Sequence, residues 1–108
     1  MASGWHLYML RCGDGSVYTG ITTDIARRLG EHRDGRRGAR YVRARHPIEL
    51  LYCAEIGDRS AASVAEYAVK SLDKSQKEAL AAGALSLRTV LDRRKALQRD
   101  RAKRAAIR

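Results

Sequence analysis

The chain has 108 residues, enough for one domain with a modest core and too few for a second core of similar size. It carries 22 Lys and Arg against 12 Asp and Glu, a net charge of +10, which favours a polyanionic partner, nucleic acid ahead of an anionic membrane surface. No apolar run approaches the length needed to span a bilayer, so no membrane-spanning helix is expected.

A β-hairpin is predicted first. Trp5 to Cys12 and Ser16 to Ile21 are rich in aromatic, β-branched and aliphatic residues, and Gly13-Asp14-Gly15 between them suits a tight turn. The hairpin sets Tyr8 and Tyr18 side by side, in a register that depends on the turn type. Thr22-Thr23-Asp24 then offers caps for a helix in which Ile25, Arg28, Leu29 and His32 recur at helical spacing until Asp34-Gly35 stops it. Arg28 and His32, at i and i+4, share one face beside the buried edge of Ile25 and Leu29, where they can approach the tyrosines. Residues 35–47 form a basic loop that ends at the single proline, Pro47. Its Arg36, Arg37, Arg40, Arg43 and Arg45 suit phosphate contacts, and Tyr41 among them suits stacking on a base or supporting the site.

Ile48 to Ile56 reads as a strand, apolar on both faces and therefore central or well covered. Gly57-Asp58 caps a second helix, roughly Arg59 to Asp73, with Ala61, Val64, Ala65, Ala68 and Leu72 as its buried stripe. Glu66 lies next to that stripe, where an unpaired carboxylate costs several kcal/mol and so needs a metal or a cation such as Lys70 at i+4. A shorter helix from Ser75 to Ala82 ends near Gly83, and a last helical stretch starts at about Ser86, with Leu87, Val90, Leu91 and Leu97 able to dock. The order of elements predicts an α/β (α+β) fold, a small mixed three-stranded sheet covered by helices.

Charge divides the chain. Residues 1–87 hold 13 Lys/Arg against 10 Asp/Glu, and residues 88–108 hold 9 against 2. The expected organisation is a domain over 1–83 and a basic helical or partly disordered extension over 84–108 that raises affinity for polyanions without selecting among them. Cys12 and Cys53 have no CxxC or histidine-rich surroundings, and no leader-like start is visible, which predicts a reduced cytoplasmic protein.

Leu7-Tyr8-Met9 followed by Tyr18-Thr19-Gly20, then Thr22-Thr23-Asp24 leading into Arg27-Arg28 and Glu31-His32, then Ala65-Glu66-Tyr67 with Lys70, form an ordered set. This set resembles the GIY-YIG nuclease superfamily. Gly57-Asp58-Arg59-Ser60 and Lys74-Ser75-Gln76-Lys77-Glu78 look like the small stand-alone bacterial YhbQ-like proteins within it, and the resemblance covers about residues 4–83. The first motif departs from the pattern by lacking its glycine and by having Met9 after the tyrosine. Position 21 is Ile where the excision nucleases have lysine, which removes one cation from the site.

The resemblance implies a metal-dependent endonuclease that hydrolyses phosphodiester bonds in DNA, preferred over RNA, with repair or processing as its setting. It implies that Tyr8 and Tyr18 divide between them the tasks of deprotonating and positioning the attacking water, that Arg28 contacts the scissile phosphate with His32 nearby, and that Glu66 is the one protein ligand of Mg²⁺ or Mn²⁺. Gly20 matches the motif glycine that allows close packing, and Arg27 joins the loop arginines on the nucleic acid. A phenol with a pKa of about 10 is a poor base at neutral pH unless a neighbouring guanidinium or metal favours its anion, and an arginine fork suits two phosphate oxygens. Taken singly, the tyrosines read as strand packing, Glu66 as an ion pair and His32 as a helix-end surface residue. The alternative expectation is a nucleic-acid-binding protein, for DNA or RNA, that keeps the fold with weak or no cleavage.

Overall fold

A computed structural model describes residues 4–35 and 37–107. In chain order the elements are β1 (Trp5–Arg11), β2 (Val17–Thr22), α1 (Ile25–Asp34), α2 (Arg40–Arg43), β3 (Glu49–Gly57), α3 (Arg59–Lys70), α4 (Lys74–Ala82) and α5 (Leu87–Ile107). The strands form one sheet in the order β2-β1-β3. The expected three-stranded sheet covered by helices is present, but both pairings are antiparallel, so the strand directions are not mixed. A tight turn joins β1 to β2, and the chain after β2 passes over β1 to pair on its far side.

The central strand is therefore β1. Leu7, Tyr8, Met9 and Leu10 are all buried, because helices cover both faces of the sheet. Leu7 and Met9 pack with Val69 and Leu80 on one face, and Tyr8 and Leu10 pack with Val42 on the other. Fully burying each such aliphatic side chain contributes roughly 1.5–3 kcal/mol. The strand expected to be central or well covered, β3, lies at an edge. Leu51 and Ile56 join the first cluster and Ile48 the second, which explains its two apolar faces, while Leu50 and Cys53 remain exposed.

Local chemistry sets the helix ends. Asp24 accepts from the Arg27 amide at the start of α1, and Gly35 closes it at φ 84°, a conformation that disfavours any side chain. Asp58 caps α3. That helix ends at Lys70 rather than Asp73, because Asp73 is the N-cap of α4, in a capping box with Gln76. The buried stripe of α3 is Ala62, Ala65, Ala68 and Val69, rotated from the expected one. Small residues allow the helix to lie close against Leu7 and Met9, leaving Val64 52% exposed. Glu66 gains from that rotation: with Ala62, Ala65 and Val69 all buried around it, it sits at the rim of the buried face.

Arg11 holds α4 to the end of β1 through a two-pronged pairing with Glu78, at 2.6 and 2.5 Å. In α5, Val90 is buried and Arg94 lies 4.4 Å over the Tyr67 ring, whereas Leu97, expected to dock, is 59% exposed. No helix among the described residues is long and apolar enough to cross a membrane.

Candidate functional site

The hairpin register pairs Tyr8 with Gly20 and Leu10 with Tyr18, so the two tyrosines lie diagonally on one face of the sheet. Their ring centroids are 6.3 Å apart. A Cβ at Gly20 would fall 2.5 Å from Tyr8 Oη and 2.7 Å from its Cζ, so the missing side chain is what allows the Tyr8 ring to lie across β2. His32 from α1 completes a triangle of rings, 5.8 Å from Tyr8 and 5.5 Å from Tyr18. It is fully buried, not the helix-end surface residue of the plainer reading.

The hydrogen bonds of His32 define its tautomer. The Ala39 amide can only donate, and it does so to His32 Nδ1 at 3.3 Å. Burial first, and then the charge of Arg28, push the imidazole down to about 4, so it is neutral at pH 7. A neutral ring that accepts at Nδ1 carries its proton on Nε2. His32 Nε2–H therefore donates to Tyr8 Oη, 2.8 Å away, and the phenolic proton of Tyr8 is directed elsewhere. Gly38 makes this possible: a Cβ there would lie 2.8 Å from His32 Cα.

The two phenols differ in environment. Tyr8 is 3% exposed, and burial, followed by the charge of Tyr18, raises its pKa to about 12 against the opposing pull of Arg28. The expectation that a guanidinium brings this phenol toward the neutral range is thus reversed for Tyr8, since desolvation outweighs the cation. Tyr18 is half-buried and lines a cleft of about 310 Å³ together with Val17, Thr19, Tyr41, Lys70 and Lys77. Arg28 donates from Nη1 to Glu31 Oε1 at 3.0 Å and to the Arg37 carbonyl at 2.8 Å, and its guanidinium acts directly on Tyr8.

Glu66 reaches the site from the other side of the sheet, since α3 packs on β1 and β2. Its carboxylate is near enough to raise the Tyr8 pKa, and it pairs with Lys70 at 3.3 Å. Among the described residues no group of three or more His, Cys, Asp and Glu could hold a metal ion, so a cation at Glu66 would have fewer than three protein ligands of these types.

The basic residues separate into two kinds. Arg37, Arg40 and Arg43 are exposed; Arg27, also exposed, pairs with Glu31 at 3.5 Å; Arg36 lies outside the described residues. Arg45 is a strut, donating from Nε to Asp14 Oδ2 and from Nη1 to the Tyr41 carbonyl, each at 3.0 Å, with its guanidinium 3.8 Å over the Tyr41 ring. The Tyr41 ring also stacks near Tyr18, with centroids 6.0 Å apart and planes at 26°. Tyr41 thus contacts both Arg45 and Tyr18 while remaining 39% exposed. Thr19 and Lys77 line the cleft although no spacing in the sequence joins them, because they come together only where α4 packs beside β2.

A family model described as the GIY-YIG catalytic domain matches residues 4–79. The chain belongs to the GIY-YIG family. Within this nuclease family it is 50% identical over 76 residues to a UPF0213 protein of Desulfotalea psychrophila, covering 70% of this chain and 69% of that one. It is 53% identical over 76 residues to a UPF0213 protein of Yersinia pestis, covering 70% and 79%. The solution NMR structure of an E. faecalis protein, 37% identical, superposes with a TM-score of 0.53 over 79% of this chain and 91% of that one. The small stand-alone proteins expected from the sequence are thus its relatives, and α5 lies beyond the part that matches the GIY-YIG domain.

Proposed function

We propose that the chain is an endonuclease hydrolysing phosphodiester bonds in DNA, with one divalent cation, Mg²⁺ or Mn²⁺, held by Glu66. The observation that carries this reading is the convergence of Tyr8, Tyr18, His32 and Arg28 beside β2, with the more accessible phenol, Tyr18, in the wall of an open cleft. Glu66 suits a hard cation that keeps most of its ligands as water and substrate phosphate, because it is a partly exposed carboxylate outside any cluster of three or more such groups among the described residues. Bound there, the ion would neutralise charge on the leaving oxygen.

The remaining chemistry belongs to the chain itself. Tyr18 takes the proton of the attacking water, since it is the phenol that solvent reaches. Tyr8 is the positioning phenol: His32 holds its oxygen, and its own proton is left to orient the water or a phosphate oxygen. Arg28 supplies donors to the scissile phosphate as charge builds in the transition state. Residues 1–83 act as the catalytic domain, in repair or processing of DNA, and 84–108 as an electrostatic arm.

The ion pair between Glu66 and Lys70 favours a second reading, a nucleic-acid-binding protein that cuts weakly or not at all. Purified protein assayed with Mg²⁺ or Mn²⁺ on duplex, branched and single-stranded DNA and on RNA separates the two. Metal-dependent cleavage, strongest on DNA and abolished by Glu66→Gln with fold and affinity retained, is the expected result. Binding without cleavage on every substrate selects the second reading, and full metal-dependent activity in Glu66→Gln overturns the assignment of Glu66.

A further inference from the structure

A groove of about 320 Å³ runs between α3, the start of α4 and α5, and it shares no lining residue with the cleft beside Tyr18. It exists because α5, which lies beyond the part that matches the GIY-YIG domain, packs on α3. Glu66 and Tyr67 are neighbours on α3, and successive side chains leave a helix about 100° apart. Tyr67 lines the groove and Glu66 does not.

The groove carries an aromatic and cationic platform. Tyr67 is the most exposed large apolar side chain among the described residues, at 61%, although Arg94 lies 4.4 Å over its ring. Both line the groove, while Ala68, Leu72, Val90 and Leu97 supply its apolar part. Gln76 and Gln98 add two side-chain amides, each a donor and an acceptor in one group.

Charge narrows the occupant. Arg93, Arg94 and Arg101 line the groove with no Asp or Glu, and among the described residues none of the three is in an ion pair. An anion is therefore the complementary ligand. A second copy of this chain would bring its own net charge of +10 against the same arginines. Carboxylates of an acidic peptide would also meet them, but a nucleobase alone matches the remaining features, since it offers a flat π-face to an aromatic ring or guanidinium plane and an edge of donors and acceptors to the amides. Bases stacked and paired within a duplex are closed to such a platform, which limits the ligand to a single-stranded stretch.

We infer that the groove between α3 and α5 is a nucleobase slot, in which Tyr67 and Arg94 stack an unpaired base of a bound single strand while Arg93 and Arg101 hold the phosphates beside it. The inference rests on the nucleic-acid reading above, and it gives the C-terminal helix a selective part that charge alone does not.

The test uses the full chain in EDTA, so that binding is read apart from cleavage. The probes are a fluorescein-labelled single-stranded oligothymidylate of twelve nucleotides, an oligomer with the same phosphates but abasic sugars, and a duplex of equal length, each followed by anisotropy across a salt series. Wild type should bind the oligothymidylate more tightly than the abasic strand by roughly five- to 150-fold, the scale of one base stacked on an aromatic side chain. Tyr67→Leu should lose that factor with an unchanged salt slope, Tyr67→Phe should keep it, and neither should alter duplex binding. Arg101→Ala should lower the slope of log affinity against log salt by roughly 0.7, the value for one single-strand phosphate contact. Because Tyr67 is largely exposed, melting temperatures should stay near wild type. Equal wild-type affinity for the two single strands, or wild-type affinity in Tyr67→Leu, would overturn the slot and leave the nucleic-acid reading standing. Base-dependent binding by a protein that cuts nothing would support the slot while the endonuclease reading fails. A labelled peptide of alternating Glu and Leu represents the competing occupant: if it binds through Tyr67 while both single strands bind equally, the groove belongs to an acidic protein partner and the slot is overturned. No binding of any oligonucleotide would overturn the slot and the nucleic-acid reading together.

Discussion

Replacing each phenol by Phe removes one oxygen, and the structure predicts different consequences at the two positions. In Tyr8→Phe the buried Nε2–H of His32 loses its acceptor at 2.8 Å. A buried donor left unpaired costs about 1–3 kcal/mol. For a domain of this size that corresponds to a fall in melting temperature of roughly 4–24 °C, taking about 4–8 °C per kcal/mol. The ring itself still fills its place against Gly20 and Leu10, so the fold is retained. In Tyr18→Phe no protein hydrogen bond of the described residues is lost, and stacking on Tyr41 survives, so the melting temperature should change little. Its single-turnover cleavage rate should nevertheless fall by roughly 10²-fold or more, the scale for removing a general base. Thermal melts and single-turnover rates on one DNA substrate measure both effects. An unchanged melting temperature in Tyr8→Phe would refute the His32 tautomer and its hydrogen bond, and an unchanged rate in Tyr18→Phe would remove that phenol from the mechanism.

Arg28→Ala should lower the rate at saturating substrate more than it weakens binding, since exposed arginines of the 37–43 segment still meet the backbone phosphates; an equal loss in affinity, with the saturated rate unchanged, would show ground-state binding only. Deleting residues 93–108 removes eight Lys/Arg and one Asp, so DNA affinity and its salt dependence should both fall while cleavage at saturating substrate survives. A deletion that binds normally but cannot cut would place the arm in the active site. His32 also predicts a pH effect. Its folded pKa, about 4, lies below the ordinary 6.5, so between those values the unfolded chain binds a proton that the folded one refuses. Stability should therefore decline as pH falls from about 6.5 toward 4, with no contribution from this group to the slope above that range. Urea midpoints across the window should fall more steeply in wild type than in His32→Gln, and equal slopes would contradict a buried neutral imidazole.

The sequence by itself determined the hairpin, the ends of α1, the presence of α3 and α4, and the ordered set Tyr8, Tyr18, Arg28, His32 and Glu66. These features are local. A glycine turn, an Asp N-cap, a left-handed Gly35 and an i, i+4 spacing each act within a few residues, and the family resemblance depends on their order alone. Tertiary structure decided what those residues experience. Whether β1 or β3 is central depends on which strand receives partners on both sides, and the apolar content of both strands permits either. The rotation of α3 follows from how closely it can lie on Leu7 and Met9, which Ala62 decides and helical periodicity alone cannot. His32 becomes a neutral donor because Ala39, seven positions on, takes its Nδ1 while Tyr8, 24 positions back, meets its Nε2. Tyr41 comes to lie beside Tyr18 because Arg45, four positions on, holds its ring. Burial, tautomer and pKa arise from desolvation and from partners distant along the chain, and those partners are brought together only when both faces of the sheet are covered.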